Sequence, residues 1–196
     1  MRMSFENVYF YTKQFEGGYA NNPNDRGGET FRGIARKSWP TWVGWDRVDQ
    51  AKGALGHSAG AINGYFSGDA EMALMVENFY RQNFWSPVER LRLPERIAEK
   101  VFDIAVNCGF GAAVKMLQRA LNALEPVRPL EVDGKFGRAS AAVLEEIMVR
   151  YDNRDHEVME ALIEQQVAHY TRIIRRDPSQ KVFERGWMNR AAWRPQ

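Results

Sequence analysis

The sequence predicts a mainly α protein with one small β-hairpin near its N-terminus. Apolar residues recur at three- and four-residue spacing along successive stretches, the signature of amphipathic helices. Turn residues flanking short extended pieces occur together only between positions 19 and 36. Hydrophobic residues make up 44% and aromatics 12% of 196 residues, enough apolar surface to offset the entropy of ordering the chain.

The elements follow in order. Phe5, Val8, Tyr9, Thr12 and Phe15 form one face of a helix over 5–16 with Ser4 as its N-cap, ended by Gly17 and Gly18. Asn-Asn-Pro-Asn-Asp and Gly27-Gly28 then precede a short Thr-Phe-Arg-Gly-Ile run, which reads as an irregular β-hairpin. From 37 to 68 the pattern weakens to short helices and loops around Trp39, Trp42 and Trp45. Asp69 opens a helix carried by Met72, Val76, Phe79, Tyr80 and Asn83 and running to about Phe84, with Pro87 stopping it or following its stop.

Pro94 starts the central core helix, with Ile97, Val101, Ile104, Ala105 and Cys108 in one wide stripe broken by Gly109 and Gly111. Ala113, Leu117, Leu121 and Leu124 mark the next helix. Pro126 and Pro129 introduce a turn region ending in VDGKFG, and Val143, Leu144, Ile147 and Met148 form a further apolar face. The last long helix runs from about 155 to 174 through Val158, Leu162, Gln166, Tyr170 and Ile173. Phe183, Trp187 and Trp193 follow among arginines.

Charge and cysteine usage narrow the function classes. The chain carries net +2, but residues 172–194 hold seven cations against two anions, a local +5, leaving −3 elsewhere. Such an end suits a polyanionic surface, or equally a helix terminus with cations near its C-terminal carbonyls. Cys108 is the single cysteine, so no intramolecular disulfide is possible. The N-terminal segment lacks the apolar run of a secretory leader, and no stretch is long enough to span a membrane. These features lead to the expectation of a monomer made in the cytoplasm without membrane insertion. His57, His156 and His169 lie far apart without zinc-ligand spacing, Asp133-Gly134 lacks the acidic repeats of a calcium loop, and no Gly-rich phosphate loop occurs. No metal and no cofactor is therefore expected.

One stretch invites a chemical reading. In KQFEGGYANNPNDRGGETFRGI, Glu16 stands at the end of the first helix, where the helix dipole disfavours a negative charge. Dipole and partial desolvation beside Phe15 and Tyr19 would raise its pKa toward that of a general acid. Residue type alone favours a solvated last-turn residue capped by glycine. Asp25 and Thr30 follow in the turns beyond. An acid, a second carboxylate and a hydroxyl suit glycosidic hydrolysis, in which one group protonates the leaving oxygen and the others stabilise sugar charge or orient water. Asp and Thr are also ordinary turn formers. Tyr19, Tyr80 and Trp85 read as cleft aromatics for sugar rings or as core packing. Asn107 reads as a hydrogen-bond partner for an N-acetyl group or as a structural cap.

The order Glu-Gly-Gly-Tyr, Asp25, Gly27-Gly28, Thr30, Gly33-Ile34 resembles the muramidases of phage endolysins and bacterial secretion activators, glycoside hydrolase family 108. The resemblance continues in FYRQNFWSPV, VFDIAVN, MLQRAL, VDGKFG and FERGWMNR, covering nearly the whole chain. It departs at Asn22, where relatives carry aspartate, and in a longer segment from Gly53 to Gly68.

The resemblance implies a lysozyme-like fold with the hairpin beside the catalytic helix, cleaving the bond between N-acetylmuramic acid and N-acetylglucosamine in peptidoglycan glycan strands. The family's catalytic glutamate falls on Glu16, and similarity to phage-type lysozymes gives Asp25 and Thr30 supporting roles. Residues 1–95 are then a catalytic lobe and 96–196 a helical lobe resembling a peptidoglycan-binding region that shares its core. A phage or prophage endolysin without a leader would reach the wall through holin-type release or dedicated export. Rival readings are a lytic transglycosylase and a non-catalytic wall-binding protein. Nucleic acid is not an expected partner, since no docking motif accompanies the basic end.

Overall fold

The computed structural model describes residues 5–13, 17–21, 28–152 and 154–195. The fold is mainly α with a small antiparallel sheet, as its periodicities predict. The chain forms two compact units, divided between Asn83 and Phe84.

The N-terminal unit begins with helix α1 (Phe5–Thr12), which buries Phe5, Val8 and Thr12 at i, i+3 and i+7. The described helix runs to Thr12 and Lys13 forms a turn, its N–H bonded to the Tyr9 carbonyl, while residues 14–16, over which the pattern extends the helix, lie outside the described residues. Ser4, Phe15, Glu16 and Asp25 lie outside the described residues. Three strands follow, β1 (Tyr19–Asn21), β2 (Glu29–Phe31) and β3 (Ile34–Ala35), paired antiparallel in that order. The expected hairpin is thus a three-stranded meander. Its extra strand comes from Arg32 and Gly33, whose φ angles of 45° and 80° make a two-residue turn that matches the twist of the flanking strands.

Helices α2 (Gly44–Leu55), α3 (Ala59–Tyr65) and α4 (Ala70–Tyr80) complete this unit. Asp69 caps α4 by accepting the Met72 N–H at 2.8 Å, and Met72, Val76, Phe79 and Tyr80 are buried. An aromatic cluster joins sheet to helices: Phe31 lies edge-on to Phe66 at 5.2 Å, and Trp42 edge-on to Trp45 at 5.2 Å.

Pro87 does not end the helical run. A π-helical turn, Arg81–Trp85, follows α4 and leads into α5 (Ser86–Glu89), with Pro87 in its first turn. There the missing N–H costs no ladder bond, because the widened turn restarts the helix.

The C-terminal unit is built on α6 (Glu95–Cys108), in which every residue from Ile97 to Ala105 is buried. Pro94 is its N-cap, and Gly109 ends it at φ 87°. Gly111 is not a breaker: it sits in the first turn of α7 (Phe110–Ala123). Helices α8 (Arg138–Arg150) and α9 (His156–Arg176) follow, α7 packing on both α6 and α9. The arginine-rich end, where no helix is predicted, folds as a 3-10 segment, Pro178–Phe183, and helix α10 (Glu184–Ala192).

Buried polar contacts hold α10. The Lys100 ammonium donates to the carbonyls of Arg190, Ala191 and Trp193 at 3.3, 2.9 and 3.0 Å, and Arg190 Nε meets Asp103 Oδ1 at 2.8 Å. Burial lowers the Lys100 pKa to about 8 and raises that of Asp103 against the pull of Arg190 and Lys100.

Candidate active site

The chemistry-bearing stretch of the sequence passes through the small sheet, whose register assigns each side chain to a face. Tyr19 stands opposite Phe31 and Asn21 opposite Glu29, while Thr30 stands opposite Ala20 and Ala35. Successive side chains alternate faces, so Tyr19, Glu29 and Phe31 share one face and Thr30 projects from the other. The shared face is the core face. Tyr19 is only 3% exposed, whereas Thr30 is half-buried.

Glu29, which the sequence does not single out, anchors that face to α2. It accepts from the Tyr19 hydroxyl at 3.0 Å and from Lys52 Nζ at 2.8 Å, and it pairs with Arg36. Arg36 in turn grips Asp49 with two nitrogens, at 3.0 and 2.7 Å. Burial works to raise the Glu29 pKa, but hydrogen bonds from Lys52 and Tyr19 and the Arg36 charge hold it below the ordinary value. A carboxylate so held stays ionised, so Glu29 is an anchor and not a proton donor. Burial and the Glu29 bond raise the Tyr19 pKa, keeping its phenol neutral.

The edge of β1 is covered by Asn63 from α3. Its amide oxygen accepts the Tyr19 N–H at 2.6 Å, and its amide nitrogen donates to the Tyr19 carbonyl at 3.3 Å. The side chain thus extends the ladder at the edge of β1, where no further strand pairs among the described residues. The same contact explains Gly18, since a Cβ there would lie 2.3 Å from the Asn63 oxygen. Gly17 differs. Nothing lies within 4 Å of a Cβ placed on it.

Beside these glycines runs a cleft of about 780 Å³, lined among others by Lys13, Gly17, Gly18, Arg32, Asn63 and Tyr80. Arg32 holds a left-handed backbone conformation that arginine rarely adopts, fixed from three sides. Its N–H donates to the Gly18 carbonyl at 3.0 Å, its carbonyl accepts the Tyr80 hydroxyl at 2.9 Å, and Nη2 donates to the Phe66 carbonyl at 3.0 Å. Among the described residues, neither Lys13 nor Arg32 forms an ion pair with a carboxylate. The cleft therefore carries two cations without a carboxylate partner, beside the Glu77 carboxylate, which is paired with Arg81 at 3.4 Å.

The residues expected at the site divide accordingly. Tyr80 lines the cleft, though only 2% exposed, with its hydroxyl committed to Arg32. Tyr19 turns its ring to the core. Thr30 does not line this cleft. Trp85 lies in the C-terminal unit, 2% exposed and edge-on to Phe102 at 5.7 Å, so it offers no ring face to a sugar. Asn107 lies in the last turn of α6, where its oxygen accepts the Tyr170 hydroxyl at 2.8 Å and ties α6 to α9. Cys108, beside it, has its pKa raised by burial to about 11, so it is not poised as a nucleophile. Glu16 and Asp25 lie outside the described residues, Glu16 directly before Gly17.

Sequence reasoning missed Glu29, Arg32 and Asn63. The Arg-Gly dipeptide between two extended runs is a turn signal that marks Arg32. The Lys52 partner of Glu29 and the Tyr19 partner of Asn63 are 23 and 44 residues distant, beyond any local pattern.

Comparison with known proteins identifies the chain. No curated protein matches it. A solved structure, "Structure of Brucella abortus SagA", superposes with a TM-score of 0.63 at 22% identity, covering 96% of this chain and 89% of that one. That likeness carries the fold, which is lysozyme-like. Residues 112–192 match the family model described as "Predicted Peptidoglycan domain", and residues 10–109 match the one described as "Glycosyl hydrolase 108". With just over half its length matched by the latter, the chain belongs to the glycosyl hydrolase 108 family and is a peptidoglycan hydrolase.

Proposed function

We propose that this enzyme is an N-acetylmuramidase cleaving the bond between N-acetylmuramic acid and N-acetylglucosamine, with Glu16 as general acid. Asp25 stabilises the developing oxocarbenium charge or holds the attacking water, and the family resemblance alone gives Thr30, which does not line the cleft beside Gly17, a part in positioning that water. One observation carries the reading: the residue directly after Glu16, Gly17, lines a cleft of about 780 Å³, and a Cβ placed on it would meet nothing within 4 Å among the described residues. A volume of that order accommodates sugar units.

The charge of the cleft supports a muramic acid substrate over a neutral glycan. N-acetylmuramic acid bears a lactyl carboxylate, extended in the wall by a peptide with further carboxylates. Lys13 and Arg32 supply the complementary sign, the Glu77 carboxylate in the same lining being paired with Arg81. The resemblance to endolysins supports a role in wall breakdown by a phage or prophage.

The test is clearing of purified peptidoglycan by Glu16→Gln, with mass analysis of the wild-type products. Loss of clearing at an unchanged melting temperature, together with hydrated reducing ends, is the expected result. Products lighter by one water would assign the enzyme to the lytic transglycosylases, and full activity in the variant would remove Glu16 from the mechanism.

A further inference from the structure

Folding sorts the arginine-rich end into two groups. Two of its seven cations are used internally: Arg190 on Asp103, and Arg194 on Glu160 at 2.8 and 2.7 Å. The other five, Arg172, Arg175, Arg176, Lys181 and Arg185, are exposed, and among the described residues none is in an ion pair. They lie within 14 consecutive residues that include only two anions, Asp177 and Glu184. Asp177 is occupied locally, accepting from Ser179 Oγ at 2.6 Å and capping the 3-10 segment. Arg172, Arg175 and Arg176 share one face at the end of α9, at i, i+3 and i+4.

Apolar side chains stand among these charges. Val182 is 79% exposed and Phe183 is 50% exposed. Phe183 is braced, not loose: its ring stacks on Trp187 at 5.7 Å, and Trp187 stacks on Tyr170 at 5.1 Å. The stack fixes the segment to α9 while half of the Phe183 surface stays in water. A surface that served solubility alone would carry the cations without two exposed apolar side chains among them, one braced by a ring stack.

We propose that residues 172–185 form a docking surface for an anionic lipid bilayer, the five cations meeting headgroup phosphates and Val182 and Phe183 entering the headgroup boundary. The charges complement the surface potential of anionic lipid, and the apolar pair needs the acyl boundary that a purely ionic polymer lacks. Among the described residues no helix is long and apolar enough to cross a membrane, so the attachment is peripheral. This surface lies in the C-terminal unit, and the inference is independent of the bond cleaved.

The experiment is co-sedimentation of the full chain with phosphatidylcholine vesicles and with vesicles that also contain phosphatidylglycerol, at low and high salt. Binding is expected only to the anionic vesicles, weakening with salt as the charges are screened. Arg175→Gln with Arg176→Gln should lower affinity by about fivefold per cation removed. Val182→Asp should weaken binding at an unchanged melting temperature and unchanged clearing of purified peptidoglycan. Equal binding to both vesicle types, or equal affinity of Val182→Asp and wild type for anionic vesicles, would overturn the proposal. So would cation-dependent binding to teichoic acid or DNA with no binding to vesicles.

Discussion

Tyr19 and Thr30 belong to adjacent strands, one register step apart, and project from opposite faces of the sheet. Tyr19 faces Phe31 and the core, its hydroxyl on Glu29, while Thr30 faces Ala20 and is half-buried. Two neighbours in the same motif therefore carry different burdens. Tyr19→Phe should cost about 1 kcal/mol of stability, the worth of one hydrogen bond, and leave turnover near the wild-type value. Thr30→Ala should leave the melting temperature unchanged and lower turnover by roughly tenfold to a hundredfold, the cost of a misplaced water. Calorimetry and reducing-end assays on the two variants separate these outcomes. A turnover defect in Tyr19→Phe without loss of stability would reverse the assignment.

The two glycines after Glu16 should respond in opposite ways. Gly18→Ala places a methyl against the Asn63 amide, which is held by both of its bonds to Tyr19. The expected cost is about 1–3 kcal/mol. Adding Asn63→Ala to Gly18→Ala should bring a smaller loss than the sum of the single changes, because the clash disappears with the amide. A methyl on Gly17 meets nothing within 4 Å among the described residues, so Gly17→Ala should leave stability level or raise it by about 0.5 kcal/mol. Thermal unfolding of the four variants measures both effects.

Arg190 and Asp103 form a buried pair that holds the C-terminal helix on α6. Arg190→Ala leaves the Asp103 carboxyl without its cation and should cost about 3–5 kcal/mol. Replacing both, as Asp103→Leu with Arg190→Met, should cost less than Arg190→Ala alone, since the Asp103 charge leaves with its partner while Lys100 keeps its three carbonyl acceptors. Unfolding followed by tryptophan fluorescence reads the change, Trp187 and Trp193 lying on or beside α10.

Glu99, 7% exposed on α6, has its pKa raised from 4.5 to about 7, by burial first and by the Glu95 charge second. The folded chain keeps a proton on Glu99 that the unfolded chain releases near pH 4.5. The stability this provides is fully present below about pH 4.5 and is lost as pH rises through about 7. Glu99→Gln should therefore raise stability by about 1–3 kcal/mol at about pH 8 and change little at about pH 4. Melting temperatures across that range check the slope, and a variant with the wild-type pH dependence would exclude Glu99 as its source.

Much of the fold was legible because each helix announces itself locally. The stripes of Phe5 and Val8, of Met72 and Val76, and of Ile97 and Val101 all turned inward, since a 3.6-residue period can bury only one stripe. The family was legible too, through short motifs in a conserved order. Burial on every side of α6 was not: Lys100 and Asp103 lie off its apolar stripe and reach the interior only because Arg190 and the carbonyls ending α10 meet them there.

The sequence by itself determined the helical class, the sheet near the N-terminus, membership in the hydrolase family and the local excess of cations at its end. Tertiary structure alone decided which side of the sheet Tyr19 takes, why residue 18 is glycine, how Pro87 is carried within a helical run, and which arginines remain free. The reason is physical. Helix period and turn chemistry act over a few residues, whereas strand facing depends on register, and one step of register exchanges the faces. The uses of Gly18, Glu29 and Arg190 depend on Asn63, Lys52 and Asp103, partners that only the packed chain brings within reach.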